Sequence, residues 1–340
     1  MYVAIQYLRA IAVLSVLVLH TQGVFGEHLI KIPLLSEYGW LGVSLFFAIS
    51  GFVIAETIVR TPNLHTYLYR RYIRVFPLYF LVCFGALVAA MNIGHNPFAL
   101  SQTDSGASGF ATSLSYVAKS LFIIPQDPWP LYAVGWSLEF EIIFYVIFGC
   151  AYFALGPTAA RLIILGLAMV GLSNAVGFNH FAHPAMFYFL CGVLVHDLYV
   201  HAAQASLRLA QVLVVPTTAL WLTQILNEYP LGYSLFVIAS AVSFAAIIRI
   251  GLSLEDRLKG DGLFAFIGNA SYSIYLIHWI PVRIVDRLDL NSGSFGNEVA
   301  RLAFLLFCIW ISVIVYRFVE TPLVRVFKEL PGSVPFRKTA

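Results

Sequence analysis

The chain of 340 residues is 60% hydrophobic and only 11% charged, with a mean hydropathy of +0.84. That balance excludes an ordinary soluble domain and defines a polytopic, all-α transmembrane helical bundle. A net charge of +3 is too small to argue for nucleic acid, and no basic cluster is interleaved with aromatics as single-strand binding requires.

In chain order, segments poor in Asp, Glu, Lys and Arg were matched to the roughly 20 residues that a helical span needs. Ten spans are expected, near 5–25, 38–55, 75–93, 136–155, 161–176, 184–199, 209–227, 229–248, 263–283 and 298–318. The first has no basic region before it and no clear cleavage site, so it should remain as a span. A short arginine-bearing connection, Arg60 to Arg74, leads into the third. The polar interval 94–135 holds a semi-apolar piece, Leu121 to Pro125, read as interfacial or re-entrant, and its Trp129 and Trp136 suit a membrane boundary. Residues 1–330 form one transmembrane domain in this reading, and 331–340 a basic cytoplasmic tail. The cysteines Cys83, Cys150, Cys191 and Cys308 all lie in apolar runs without metal spacing, so they read as small core residues, and no metal is expected.

Ten spans put both termini on one side. Fifteen of the 20 Lys and Arg residues then share that side, and five (Lys31, Lys119, Arg283, Arg287 and Arg301) lie opposite. This asymmetry makes the termini cytoplasmic. No outer loop is long enough to hold much of a core.

Ionisable groups within spans are costly, about 2.5–3.5 kcal/mol each on insertion scales, and so face protein or water. Arg9 and His20 lie eleven residues apart in the first span and share one helix face. At ~1.5 Å per residue from the inner boundary, His20 stands about 16 Å up, Glu141 about 22 Å and His278 about 23 Å. Three helices therefore bring ionisable groups to one level. Ser137, Glu141 and Tyr145 share one face of the fourth span, and Ser271, Tyr275 and His278 one face of the ninth. Structural hydrogen bonding between helices explains the serines and tyrosines equally well. It is a weaker account of a carboxylate and two imidazoles, which must be paired or shifted when buried. At the inner end of the third span, Arg70, Arg71 and Arg74 fall within five residues. The positive-inside bias is the usual explanation of such a cluster, although three arginines in five residues is more than orientation requires. Arg71 and Arg74, one turn apart, can also grip a single phosphate.

Several segments, in order, resemble acyltransferase family 3, membrane proteins that move acyl groups onto sugars and related acceptors. They are Arg9 with ten residues before His20; Phe46-Phe-Ala-Ile-Ser-Gly-Phe52; Arg71-Tyr-Ile-Arg74 running into Pro77; Trp136-Ser-Leu-Glu-Phe-Glu-Ile-Ile-Phe-Tyr145; Ser271-Tyr-Ser-Ile-Tyr-Leu-Ile-His278; and Val319-Glu-Thr-Pro322. Some members carry an added C-terminal hydrolase-like domain, which is not expected here, so transfer would be completed within the bundle or by a separate extracytoplasmic partner. The resemblance implies an inner-membrane O-acyltransferase using cytoplasmic acyl-CoA, by default acetyl-CoA. Arg71 and Arg74 would engage its phosphates, with Arg70 helping, and Arg9 would hold the donor at the entrance. His20 would be general base or transient acyl carrier. Glu141 would orient that imidazole or bind the acceptor. His278 and Tyr275 would serve acceptor binding or oxyanion support, and Ser137 and Trp136 would also meet the substrate. The expected acceptor is a hydroxyl of a surface polysaccharide or lipid-linked glycan, or of a small molecule such as a macrolide. The competing class is a proton-coupled transporter, against which stand the lack of an internal repeat and of paired broken helices.

Overall fold

The computed structural model describes residues 2–25, 38–93, 96–98, 114–126, 129–173, 179–288 and 294–329. Lys31, the basic tail 331–340 and much of the interval 94–135 lie outside the described residues. Among the described residues every regular element is helical. We number α1 Val3–Thr21, α2 Leu41–Ile58, α3 Leu64–Ile93, α4 Leu114–Leu121, α5 Trp136–Leu155, α6 Pro157–Ser173 and α7 Ala185–His201. There follow α8 Ala203–Leu226, α9 Tyr233–Ser253, α10 Leu263–Asn269, α11 Ser271–Ile277, α12 Trp279–Asp286, α13 Ser294–Val315 and α14 Thr321–Glu329.

Among the described residues, seven helices are long and apolar enough to cross a membrane, and eight if α10 and the helix pair after it count as one broken span. Two shorter apolar helices of 17 residues each, α6 and α7, lie where the fifth and sixth expected spans fall. The arginine-bearing connection differs from expectation, because most of it is helix. The Asn63 side-chain oxygen accepts the Thr66 N–H at 2.8 Å and caps the first turn of α3. The helix then runs through Pro77 to Ile93. Charge marks where a span meets water, and a helix need not stop there.

The chain divides into two compact units. The first comprises Met1–Ala12, Leu41–Leu68 and Phe140–Asn269. In it α2 packs closely against α7, where glycines let the two backbones meet. A Cβ on Gly51 would stand 2.0 Å from the Phe189 carbonyl oxygen, and one on Gly192 would stand 1.9 Å from that of Ala48. Small residues at such crossings give dispersion contact where lipid offers no hydrophobic drive. Beside them the Phe189 ring stacks on Phe144 with centroids 4.3 Å apart. Arg161 joins α6 to α7 through a two-pronged contact with Asp197, at 2.6 and 2.7 Å. The Glu255 carboxylate accepts the Val3 and Ala4 N–H groups at 2.6 and 2.9 Å. It thereby satisfies two of the four donors that the start of α1 leaves unpaired, and sets negative charge at the positive end of its dipole.

The second unit comprises Val13–Trp40, Tyr69–Glu139 and Ala270–Ala340. Two prolines shape it. Pro281 has no N–H for the Ile277 carbonyl and its ring crowds that oxygen, so α11 ends at Ile277 and α12 restarts at Trp279. Pro322 does the same to Phe318, and the chain answers with a π turn over Tyr316–Glu320. There the Thr321 hydroxyl donates to the Tyr316 carbonyl at 2.8 Å, and Glu320 accepts from the Ser273 hydroxyl. Gly135 leaves room for the Tyr79 ring, which a Cβ would meet at 2.8 Å. The Tyr79 hydroxyl donates to the Ser120 carbonyl, also at 2.8 Å.

Gly192→Val is expected to cost more than the 1–3 kcal/mol or so typical of overpacking, because the obstacle is backbone. Gly85→Ala, with nothing within 4 Å of the added carbon, is the matched control. Thermal unfolding in detergent separates them, and equal midpoints would contradict the packing account. By the same measurement, Glu255→Ala should lose about 1–2 kcal/mol as a lost helix cap does, and an unchanged midpoint would remove Glu255 from that role.

Candidate functional site

The second unit brings two of the expected residues into direct contact. His20, in the last turn of α1, and His278, between α11 and α12, lie with His20 Nδ1 2.8 Å from His278 Nε2. Their rings are nearly parallel at 6° with centroids 5.1 Å apart. His278 Nδ1 lies 2.9 Å from the Ile274 carbonyl oxygen. Its side chain is buried, only 1% exposed. Trp279 meets the His20 ring edge-on at 5.0 Å, and its indole N–H donates to the Phe98 carbonyl at 3.0 Å. The Phe98 segment is itself held, its N–H donating to the Asn96 side-chain oxygen at 3.0 Å while the Asn96 amide donates to the Leu131 carbonyl at 2.8 Å. Trp279 and Asn96 had not been singled out in the sequence, where an interfacial tryptophan and a loop asparagine carry no signal of this kind.

Ser137 and Tyr275, both buried, pair with each other at 2.8 Å between their oxygens. Tyr275 also donates to the Val134 carbonyl at 3.1 Å. The shared face of Tyr275 and His278 is therefore spent on two different partners from two segments. Trp136, at the start of α5, packs edge to face with Trp129 at 5.8 Å. Arg70, Arg71 and Arg74 lie half-buried on α3, Arg71 and Arg74 one turn apart.

In the first unit, Arg9 is buried on α1. Glu141 on α5 accepts the Ser50 hydroxyl at 2.8 Å and the Tyr145 hydroxyl one turn on. The expected face of Glu141 and Tyr145 is real. Ser50 was missed, although the apolar run around it breaks only at Ser50-Gly51 and a hydroxyl beside a glycine crossing is a readable hint. The neighbouring Phe140 ring lies 4.4 Å from that of His183. The Ala185 N–H donates to His183 Nδ1 at 3.1 Å. Burial, and secondly the adjacent His180, push His183 down to about 4.

This combination, apolar spans carrying paired histidines, a hydroxyl-held glutamate and an arginine pair, is found in a chain that belongs to acyltransferase family 3. The acyltransferase domain that defines the family matches residues 2–317, so the protein is a multi-pass membrane acyltransferase. Among its relatives is the exopolysaccharide production protein ExoZ of Rhizobium meliloti, 26% identical over 304 residues, which cover 84% of this chain and 90% of ExoZ. Another is the peptidoglycan O-acetyltransferase OatA of Listeria monocytogenes, 24% identical over 365 aligned positions covering 94% of this chain. The chain spans only 55% of OatA. No solved structure matches.

A solvated imidazole titrates near 6.5 or so, whereas folded His183 stays neutral down to about 4. Protonation between those values favours the unfolded chain. Its contribution is complete above about pH 6.5 and is lost as pH falls toward the folded value. His183→Phe should flatten that limb of the thermal midpoint against pH, and an unaltered slope would contradict the assignment.

Proposed function

We propose that this protein is an O-acyltransferase of the cytoplasmic membrane. It moves an acyl group, acetyl by default, from cytoplasmic acyl-CoA to a hydroxyl of a surface polysaccharide or lipid-linked glycan. The observation that carries the reading is the His20–His278 contact at 2.8 Å in a chain of an acyltransferase family. A neutral imidazole held by its neighbours, within a segment that is otherwise apolar, is a general base in search of a proton. The names of ExoZ, an exopolysaccharide production protein, and OatA, a peptidoglycan O-acetyltransferase, support a surface glycan as acceptor.

In this proposal residues 1–330 act as one catalytic domain with cytoplasmic termini. Arg71 and Arg74, assisted by Arg70, hold the phosphates of the donor, for which forked guanidinium groups are suited. Arg9 steadies the donor at its entrance. His20 takes the proton of the acceptor hydroxyl as that oxygen attacks the thioester carbon. Accepting the acyl group first is the variant course. Glu141 serves the acceptor, and Trp136, Ser137 and Tyr275 are further substrate contacts. The transfer is completed within the bundle or by a separate extracytoplasmic partner.

The test uses membrane vesicles carrying the chain, with labelled acetyl-CoA supplied to the cytoplasmic face and label followed into the membrane glycans. His20→Ala should lower transfer by about 10²–10⁴-fold, the range for a positioned proton acceptor. Wild-type transfer by that variant would overturn its role, and passage of unmodified solute without transfer would favour a transporter. Arg71→Ala and Arg74→Ala should each raise the KM for acetyl-CoA about tenfold or more, as loss of a charged hydrogen bond worth ~1.5–3 kcal/mol would. An unchanged KM would remove them from the donor site.

A further inference from the structure

We propose that His278 is a positioning residue: it fixes the ring tautomer of His20 and so selects Nε2 of His20 as the nitrogen that takes the acceptor's proton. The inference rests on the reading of His20 given above and deepens it.

The argument begins at Ile274. A carbonyl oxygen can only accept, so the 2.9 Å contact with His278 Nδ1 requires a proton on that nitrogen. A neutral imidazole protonated at Nδ1 presents a lone pair at Nε2. His278 Nε2 is therefore an acceptor, and the hydrogen in its 2.8 Å contact with His20 belongs to His20 Nδ1. His20, neutral in turn, carries its lone pair on Nε2, to which no described residue hydrogen-bonds. One backbone oxygen thus sets two tautomers in sequence. The near-parallel rings, 6° apart, and the edge of Trp279 at 5.0 Å leave His20 little freedom to flip and exchange its nitrogens.

This assignment removes two alternatives. Both nitrogens of His278 are engaged and the side chain is 1% exposed, so it does not bind the acceptor. The Nδ1 proton of His20 is committed to His278, so no carboxylate, Glu141 included, orients His20 through that nitrogen. The third member that a serine-protease triad supplies as aspartate is here a neutral imidazole backed by a carbonyl.

The step balances as follows. The acceptor O–H proton passes to His20 Nε2 while the acceptor oxygen bonds the thioester carbonyl carbon. The C–S bond then breaks, and the proton on Nε2 goes to the departing thiolate. The products are an acyl ester and the free thiol of coenzyme A, with His20 returned to its starting tautomer. His278 relays no proton, because its own is held by Ile274.

The experiment compares three replacements of His278 in membrane vesicles, with labelled acetyl-CoA as donor and the glycans of the same membranes as acceptor. His278→Gln puts an amide oxygen close to the position of Nε2, where it can accept from His20. It should keep kcat within about tenfold, a smaller loss than the 10²-fold floor for losing positioned proton transfer. His278→Phe keeps the ring volume without an acceptor, and His278→Asn reaches Ile274 but leaves nothing for His20. Both should lower kcat by about 10²-fold with the KM for acetyl-CoA unchanged. A fold defect in the Phe variant, seen as a lowered thermal midpoint, leaves the Asn and Gln pair to decide. The proposal is overturned if Asn matches wild type, if Gln falls as far as Asn, or if the loss appears in KM alone. Should His20→Ala be inactive while these variants are unaffected, only the role of His278 fails. Should His20→Ala retain activity, the reading beneath it fails first.

Discussion

The contact from His278 Nδ1 to the Ile274 carbonyl oxygen is the one on which the arrangement of the second unit turns. With its side chain 1% exposed, the His278 imidazole must spend its donor on the protein or leave it unpaired at a cost of about 1–3 kcal/mol. Here the helix supplies the acceptor from one turn back. That oxygen also keeps its ordinary backbone partner, since the His278 N–H donates to it at 3.2 Å. With His278 fixed, its second nitrogen can face only one way, and His20 meets it there. Pro281 belongs to the same device, because by ending α11 at Ile277 it places His278 at the joint between two short helices.

The same requirement recurs throughout the chain. The Tyr132 hydroxyl donates to the Leu276 carbonyl, and the Tyr272 hydroxyl to that of Val75 at 2.5 Å. In the first unit, Ser50 and Tyr145 satisfy one oxygen of Glu141. His196 reaches Glu56 at 2.9 Å. These polar side chains are joined in pairs and short chains, as a low-dielectric surrounding favours. A sequence motif is, in three dimensions, one half of such a pair: Ser50 of one motif holds Glu141 of another, and Ser273 holds Glu320.

The helices were legible because the apolar segments are long and charge is scarce. α5 begins and ends where the apolar segment expected at 136–155 puts it, and the Glu141–Tyr145 face follows from helical spacing alone. Depth reasoning also put His20 and His278 at one level. It could not show that they touch, since periodicity gives a residue its face and height without naming the neighbour across from it. α3 was read too short because arginines were taken as the end of a helix, when the Asn63 cap starts it eleven residues before Arg74. The breaks at His278 and at Tyr316–Glu320 come from carbonyls orphaned by prolines further along, an effect displaced from the residue that causes it. Trp279 gave no signal by type, because a tryptophan in a membrane helix is common.

The proposed account stands on one chemical detail, the nitrogen of His20 that carries the proton in the resting protein. Nitrogen NMR of histidine-labelled protein in lipid, with His20 and His278 assigned by comparison with single replacements of each, reads it directly. The account predicts both residues neutral and protonated at Nδ1, with His20 Nε2 bearing the lone pair. A His20 protonated at Nε2, or at both nitrogens in the resting protein, would contradict it.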